Sequence, residues 1–188
     1  KLNRLYPLMA GELSRQLGVK MKYVPIVDYA TAINAFRTDD LDLVWFGGLT
    51  GVQARLQKPR TKVLTQRDID VSFHSIFIAN IRSGIRPFNQ QKNLTTLKDR
   101  RFTFDSENST SGRLMPQYFL QQAGMKPSDF ANNTPGFNGN HDTTITLMQN
   151  GAYDADVMNE QMWRASLHDG KTSQARVQTI WHNPDYPD

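Results

Sequence analysis

Apolar residues recur along this chain at two spacings, one typical of amphipathic helices and one typical of buried strands. In the first 17 residues the leucines keep helical spacing until Gly18, which predicts a helix that ends there. Asp28 is a favourable N-cap for a second helix over residues 29–37. The same criteria predict further helices at 49–57, 109–124, 139–151 and 160–167.

Short apolar runs between these helices have the length of buried strands. They lie at 22–27, 41–46, 73–80, 101–104, 155–159 and 177–181. Strands that alternate with short helices predict an α/β fold with mostly parallel sheets flanked by helices. The polar stretch 81–99 divides the pattern, so we predict two lobes. Lobe I comprises residues 1–80 together with 182–188, and lobe II comprises 81–181.

Composition excludes several classes of protein. The chain has no cysteine, which rules out disulfides, thiolate zinc sites and a cysteine nucleophile. The net charge of +4 comes from scattered basic residues, whereas nucleic-acid binding favours a basic stripe. No apolar run approaches the roughly 20 residues that span a bilayer. No dinucleotide-binding or Walker motif occurs, so we predict no cofactor and no nucleic-acid partner.

Polar or small residues mark four predicted junctions between a strand and the helix that follows it. These junctions lie at 28–29, 47–50, 109–112 and 140–143. Every helix start leaves unpaired N–H groups and carries a partial positive charge. Several such starts that converge on one point would therefore bind an anion with few lysines.

The hydroxyl cluster Ser109, Thr110 and Ser111 admits two interpretations. Its hydroxyl and backbone N–H groups could donate to a tetrahedral oxyanion. Alternatively, one hydroxyl caps the helix while the others face solvent, which is common at helix starts. An inward carboxylate at Glu107 would favour a ligand that still carries a proton. The local sequence leaves both interpretations open.

His141 lies at another of these junctions, which a glycine precedes, and could donate to an oxyanion or simply cap the helix. The His141–Asp142 pair would also suit a metal-dependent phosphohydrolase. The other histidines have no helical ligand spacing to His141, so we predict no metal site. There is no nucleophile elbow either, and we predict that the chain is not an enzyme.

Several blocks occur in the order seen in one known family. They are "VDYATAINAFRTDDLDLVWFGGLTGVQA", "FHSIFIAN", "LTTLKDRRFTFDSENSTSGRLMPQYFLQQAG", "GFNGNHDTTITLMQNGAYDADVMNEQ" and "IWHNPDYPD". The chain resembles the phosphonate-, phosphite- and phosphate-type (PhnD-like) substrate-binding proteins of ABC transporters, and most of all a subgroup described as selenate-binding. The resemblance implies a two-lobed, type II periplasmic binding protein of the venus-flytrap kind. It also implies that the chain is truncated at both ends.

The resemblance implies specific ligand contacts. Ser109, Thr110 and Ser111 match the hydroxyl cluster that holds the oxyanion, and His141 and Tyr29 match cleft residues. The helix start with Gly47 and Thr50 is expected to add donors. Phe73 and Gln161 stand where aminoalkylphosphonate binders place a tyrosine and an acid, which favours a smaller inorganic oxyanion.

We therefore expect a monomeric extracytoplasmic or periplasmic protein that captures a phosphonate, phosphite, phosphate or selenate-like oxyanion for a membrane permease. Its signal segment, and any lipid anchor, would lie outside this chain. One alternative is an extracytoplasmic sensing domain of a receptor. Another is a phosphate-ester enzyme built on His141 and Asp142.

Overall fold

The computed structural model describes residues 2–139 and 141–188, without the side chains of Leu2, His141 and Asp142. The described α-helices are α1 (Leu2–Leu17), α2 (Tyr29–Arg37), α3 (Gly48–Gln57), α4 (Met115–Gln122), α5 (His141–Gln149) and α6 (Glu160–His168). The strands are β1 (Ser75–Asn80), β2 (Phe102–Phe104), β3 (Gly136–Phe137), β4 (Ala155–Asn159) and β5 (Val177–His182). None of the described helices is long and apolar enough to cross a membrane.

The five strands form one sheet in the order β3-β2-β4-β1-β5. β2 runs parallel to β3 and to β4, whereas β1 is antiparallel to both of its neighbours, β4 and β5. Among the described strands, β1 alone therefore runs against the others. The α/β class with a sheet flanked by helices is confirmed, and the sheet is mixed because β1 enters between two strands joined by the crossover helix α6.

Two apolar clusters cover the two faces of this sheet. Alternate residues of β1 belong to different clusters, with Phe77 in the larger one and Ile76 and Ile78 in the smaller one. The larger cluster stacks aromatic rings, such as Phe102 on Phe130 with centroids 4.6 Å apart. Successive side chains of a strand point to opposite faces, so the two clusters together bury β1 on both sides.

Two predicted strands are wrong. Residues 22–27 and 41–46 have no strand assignment in the structure. Their apolar side chains are not in a core, since Val27 is 94% exposed and Leu43 52% exposed. A strand forms when a neighbour accepts and donates its ladder hydrogen bonds, and an apolar run alone does not supply that neighbour. β3, only two residues long, was not predicted.

The described chain divides into two compact units, residues 1–44 and 45–188. β1 lies in the same sheet as the strands that follow it, although the sequence assigned it to lobe I. The predicted lobes, 1–80 with 182–188 and 81–181, stay a prediction.

Candidate functional site

The start of α3 has no side chain of its own to cap it. Gly47 is the N-cap residue, with extended backbone angles and no side-chain acceptor. The first N–H groups of this helix therefore bond to distant residues. Gly48 N donates to Asp188 Oδ1 at 3.1 Å, and Leu49 N donates to Thr110 Oγ1 at 3.0 Å. Two donors at a positive helix end thus point at oxygen atoms, as they would at an anion.

The hydroxyl cluster lies in a turn that follows β2. Ser109 Oγ accepts a hydrogen bond from Gly112 N at 2.9 Å, so this serine does cap the turn. Residues Thr110–Leu114 form one π-helical turn that leads into α4, a geometry often found at functional sites. All three hydroxyl residues are buried. The turn therefore holds its hydroxyl groups in fixed positions away from bulk water.

Gly112 allows this turn to pack closely against the end of β2. A Cβ atom at Gly112 would lie 2.5 Å from Asp105 Cβ and 2.9 Å from Ser109 Oγ. Gly112 also accepts a backbone hydrogen bond from Asp105 N at 3.1 Å. Any side chain at this position would displace the turn, so the glycine sets where the hydroxyl cluster lies.

The last residues of the chain form the third part of the site. Backbone hydrogen bonds of 2.8 and 2.9 Å pair Tyr186 with Phe73, and Asp188 N donates to Asp70 O at 2.9 Å. Ser75 Oγ donates to Ser111 O at 2.6 Å and lies 2.6 Å from the Tyr186 hydroxyl. Since a serine has one hydroxyl proton, Tyr186 must be the donor to Ser75. A phenol is already protonated at neutral pH, and burial raises the pKa of Tyr186 further.

These contacts place a carboxylate beside the open helix start. A Cβ atom at Gly47 would lie 3.4 Å from Asp188 Oδ1 and 3.5 Å from Thr110 Oγ1. Thr50 is buried nearby, and its hydroxyl donates to Gly47 O at 3.1 Å. The Asp188 oxygen lies where an oxyanion oxygen could accept from the helix. The start of α3 therefore combines neutral donors with an ionisable acceptor, Asp188.

The segment that leads to His141 is bonded to the same strand end. Asn138 N donates to Phe104 O at 3.0 Å, and Gly139 N donates to Asp105 O at 3.2 Å. This anchors the start of α5 near the strand from which the hydroxyl cluster emerges. The His141 side chain itself, like that of Asp142, lies outside the described residues.

The structure brings together some of the predicted site residues and not others. Gly47, Thr50 and Thr110 meet at the start of α3, and Ser111 bonds to Ser75 through its carbonyl oxygen. Tyr29 lies in the first compact unit, at the start of α2, and is 38% exposed. Each of these residues stays a predicted ligand contact.

Two other predicted contacts, Phe73 and Gln161, stay predictions and lie in different surroundings. Phe73 is only 3% exposed and packs in the larger core cluster against Tyr186, with ring centroids 6.1 Å apart. Gln161 is exposed at the second position of α6. Glu107, considered as an inward acceptor, is also exposed. Asp188 is the carboxylate that the structure places at the open helix start.

Sequence reasoning missed Ser75, Tyr186 and Asp188. The segment "HNPDYPD" carried one signal, since an aromatic residue is uncommon in a segment that is otherwise as polar and proline-rich as a solvated one. The sequence does not reveal that this segment pairs with residues 70–73, because the contacts join positions more than 110 residues apart.

The whole chain, residues 1–188, matches the family described as "ABC transporter, phosphonate, periplasmic substrate-binding protein". The chain belongs to this family. This confirms the predicted family resemblance and the type II binding-protein fold class. The selenate-binding subgroup stays a prediction.

Members of the phosphonate-binding family include a protein of Prochlorococcus marinus (strain MIT 9301) named "Probable ABC transporter phosphite binding protein PhnD1". It is 48% identical over 187 residues, which are 100% of this chain and 63% of the relative. Its structure in complex with methylphosphonate has a TM-score of 0.93 and covers 100% of this chain and 69% of that one. A binding protein component of an ABC phosphonate transporter from Pseudomonas aeruginosa is 25% identical, with a TM-score of 0.74. The match covers 99% of this chain and 61% of that one.

Escherichia coli (strain K12) has a more distant relative named "Phosphonates-binding periplasmic protein". It is 27% identical over 94% of this chain and 52% of its own length. The chain thus spans between half and two thirds of these two named relatives. Both are named as binding proteins rather than as enzymes.

Proposed function

We propose that this chain is the ligand-binding part of an extracytoplasmic solute-binding protein that captures a small tetrahedral phosphorus oxyanion for an ABC transporter permease. It performs capture and release without chemistry on the ligand. The names of the similar proteins support this proposal, since one is a phosphite-binding protein and is also solved with methylphosphonate. The predicted two-lobe organisation belongs to the same proposal.

The observation that carries the proposal is the uncapped start of α3. Gly48 N and Leu49 N point at a carboxylate oxygen and a hydroxyl oxygen that come from remote parts of the sequence. An incoming oxyanion can take over these donors, while the hydroxyl groups of Ser109, Thr110 and Ser111 supply further hydrogen bonds. Each hydrogen bond to a charged oxygen contributes about 1.5–3 kcal/mol.

Asp188 favours a ligand that still carries a proton. A carboxylate beside the anion repels a fully ionised oxyanion but accepts a hydrogen bond from a protonated one. Hydrogen phosphite, singly ionised methylphosphonate and hydrogen phosphate offer such a proton, whereas sulfate and selenate at neutral pH do not. We therefore place phosphite and methylphosphonate before selenate as ligands.

Aminoalkylphosphonates fit this chain poorly. Gln161 is neutral, and the neighbouring Glu160 is already engaged, because Arg164 Nη2 and Nε donate to its Oε1 at 2.6 and 2.9 Å. Its other oxygen, Oε2, contacts His74. No carboxylate at these two positions is thus left for a substrate ammonium group.

Isothermal titration calorimetry with an anion panel tests this proposal. The panel contains phosphite, methylphosphonate, phosphate, sulfate, selenate and 2-aminoethylphosphonate. We expect phosphite or methylphosphonate to bind most tightly and to raise the melting temperature, because a ligand that binds only the folded state stabilises it. Absence of heat and of thermal stabilisation with every anion would refute oxyanion capture.

Asp188→Asn forms the second arm of this experiment. The amide keeps the size of the side chain but removes the negative charge, so sulfate binding should improve relative to phosphite binding. We expect the ratio of phosphite to sulfate affinity to fall by about tenfold or more, as for a changed hydrogen bond to a charged group. An unchanged ratio would remove Asp188 from the selection mechanism while leaving capture itself intact.

A further inference from the structure

His74, Glu160 and His182 come together at the end of three adjacent strands. His182 is the last residue of β5 and pairs with Ile76 of β1, two residues from His74. Ser75 pairs with Asn159 on the other side, so His74 and Glu160 extend the ladder between β1 and β4. Glu160 N donates to His74 O at 3.4 Å, which is consistent with that extension. The three side chains thus meet although they lie far apart in the sequence.

This cluster lies on the opposite face of the sheet from the proposed anion site. Ser75 faces the hydroxyl cluster, since its Oγ contacts Ser111 and Tyr186. Successive side chains of an extended segment point to opposite faces, so His74 shares its face with Ile76. Ile76 belongs to the smaller apolar cluster, away from Tyr186.

We propose that His74, Glu160 and His182 form a binding site for a divalent transition-metal ion of the zinc class. One ligand atom from each residue lies within 4.8 Å of the other two. Two imidazole nitrogens and a carboxylate oxygen are a donor set that suits zinc, copper and nickel, and that magnesium and calcium do not favour.

Two movements separate the present geometry from a coordinated ion. His74 Nε2 and Glu160 Oε2, which are now in direct contact, must move apart to admit the ion, and His182 must turn towards them. With metal–ligand distances near 2.0–2.2 Å, ligand atoms in a tetrahedral site lie about 3.3 Å apart. His182 is exposed, so its ring can turn towards the other two ligands without disturbing the core. A fourth position would be filled by water.

Neighbouring side chains contact two of the three ligands. Arg164 binds Oε1 of Glu160 through two hydrogen bonds, which leaves Oε2 facing His74 Nε2. The other ring nitrogen of His74 lies 3.5 Å from Asp185 Oδ1. Ser72 Oγ in turn contacts the second oxygen of Asp185. His74 Nδ1 makes no hydrogen bond at this distance, so Asp185 would have to move closer to orient the ring as a carboxylate does in many zinc sites.

The simpler interpretation is an ion pair between His74 and Glu160 without a metal ion. The two models differ at His182, which the ion pair does not use. They also differ in their response to chelators, because only a metal site loses stability when the ion is withdrawn.

Zinc titration of the chelator-treated protein tests the proposal, with competition against a chromophoric chelator as the readout. We expect one zinc ion per chain, a higher melting temperature with zinc than with EDTA, and no such effect of magnesium. His182→Ala should weaken zinc binding at least tenfold and abolish the thermal shift. His168→Ala is the matched control, since it removes an exposed histidine at the end of α6 and should leave zinc binding unchanged.

A second variant separates loss of ligand from loss of fold. Glu160→Gln keeps the shape of the side chain, and its folding is checked by circular dichroism before titration. Weaker zinc binding by the folded variant supports the site. Zinc binding that is equal in the original protein, His182→Ala and Glu160→Gln would overturn the proposal. So would the absence of any zinc-dependent stabilisation of the unmodified protein.

Discussion

The starts of α2 and α3 satisfy their free N–H groups in opposite ways. At α2, Asp28 Oδ1 accepts from Thr31 N and its Oδ2 from the Thr31 hydroxyl, both at 2.8 Å. That helix end is closed by a residue immediately before it. At α3 the cap is Gly47, and the acceptors are Thr110 and Asp188, which lie 61 and 140 positions away from their donors.

This difference separates a helix start whose N–H groups are bonded locally from one whose N–H groups can bind an anion. A local carboxylate cap neutralises the helix end in every state of the protein. A glycine cap leaves the donors dependent on tertiary structure or on a bound anion. The same amphipathic pattern therefore produces two helices, and one residue before each decides whether its start stays available.

Gly47→Asp would convert the start of α3 into one like that of α2. The new carboxylate would accept from the first N–H groups and lie beside Asp188, where a Cβ atom has 3.4 Å to Asp188 Oδ1. We expect oxyanion affinity to fall by about a hundredfold or more, because lost donors and like-charge repulsion act together. Isothermal titration calorimetry with phosphite measures this change.

Gly47→Ala provides the matched control for that conversion. Its methyl group meets only ordinary van der Waals distances of 3.4 to 4.0 Å, and the backbone of Gly47 is extended. Affinity should change little. If the alanine variant loses as much affinity as the aspartate variant, steric blockage rather than capping explains the effect.

Thr110→Ala should have an intermediate effect. It removes the hydroxyl that accepts from Leu49 N and that we propose as a ligand contact. We expect affinity to fall by about ten- to a hundredfold, corresponding to one hydrogen bond to a charged group. Thr110→Ser keeps the hydroxyl and should retain most of the affinity. Equal losses in both variants would show that the methyl group matters and the hydroxyl does not.

Asp28→Ala should have the smallest effect and should act on stability alone. The backbone hydrogen bond from Thr31 lowers the pKa of Asp28 below its usual value. Its stabilising contribution is therefore present above the unfolded pKa near 3.9 and is lost as the pH falls through the lower, folded value. Melting curves should show a small deficit at pH 7 that disappears at low pH.

Asp28→Asn should retain most of the stability, since asparagine is also a good N-cap. Phosphite affinity should be unchanged in both variants. A loss of phosphite affinity in Asp28→Ala would contradict the view that the N–H groups at the start of α2 take no part in ligand binding. The Tyr29 side chain stays a separate predicted contact.

Much of the fold was predictable because local patterns agreed with burial. The strands predicted at 155–159 and 177–181 match β4 and β5 to within a residue. β4 is buried over most of its length and β5 over half of it. The runs at 22–27 and 41–46 have similar composition but no strand assignment. Apolar content favours burial, whereas strand formation also requires a partner for the backbone, which a one-dimensional pattern does not identify.

The sequence predicted those residues of the candidate site that lie at helix starts. Gly47, Thr50 and the hydroxyl cluster follow from the preference of small and polar residues for these positions. Asp188 and Tyr186 were missed because their place depends on pairing with residues 70–73. Capping is a local interaction, and pairing across the chain is not.

The sequence by itself determined the α/β class, the family resemblance and most helix boundaries. The class and the helix boundaries depend on residues within one or two helical turns of each other. The family resemblance depends on the order of several sequence blocks. Only the tertiary structure decided that Asp188 lies at the start of α3 and that His74 and His182 meet Glu160. The insertion of β1 between β4 and β5 brings these groups together, since ladder hydrogen bonds and side-chain alternation fix neighbours regardless of their distance along the chain.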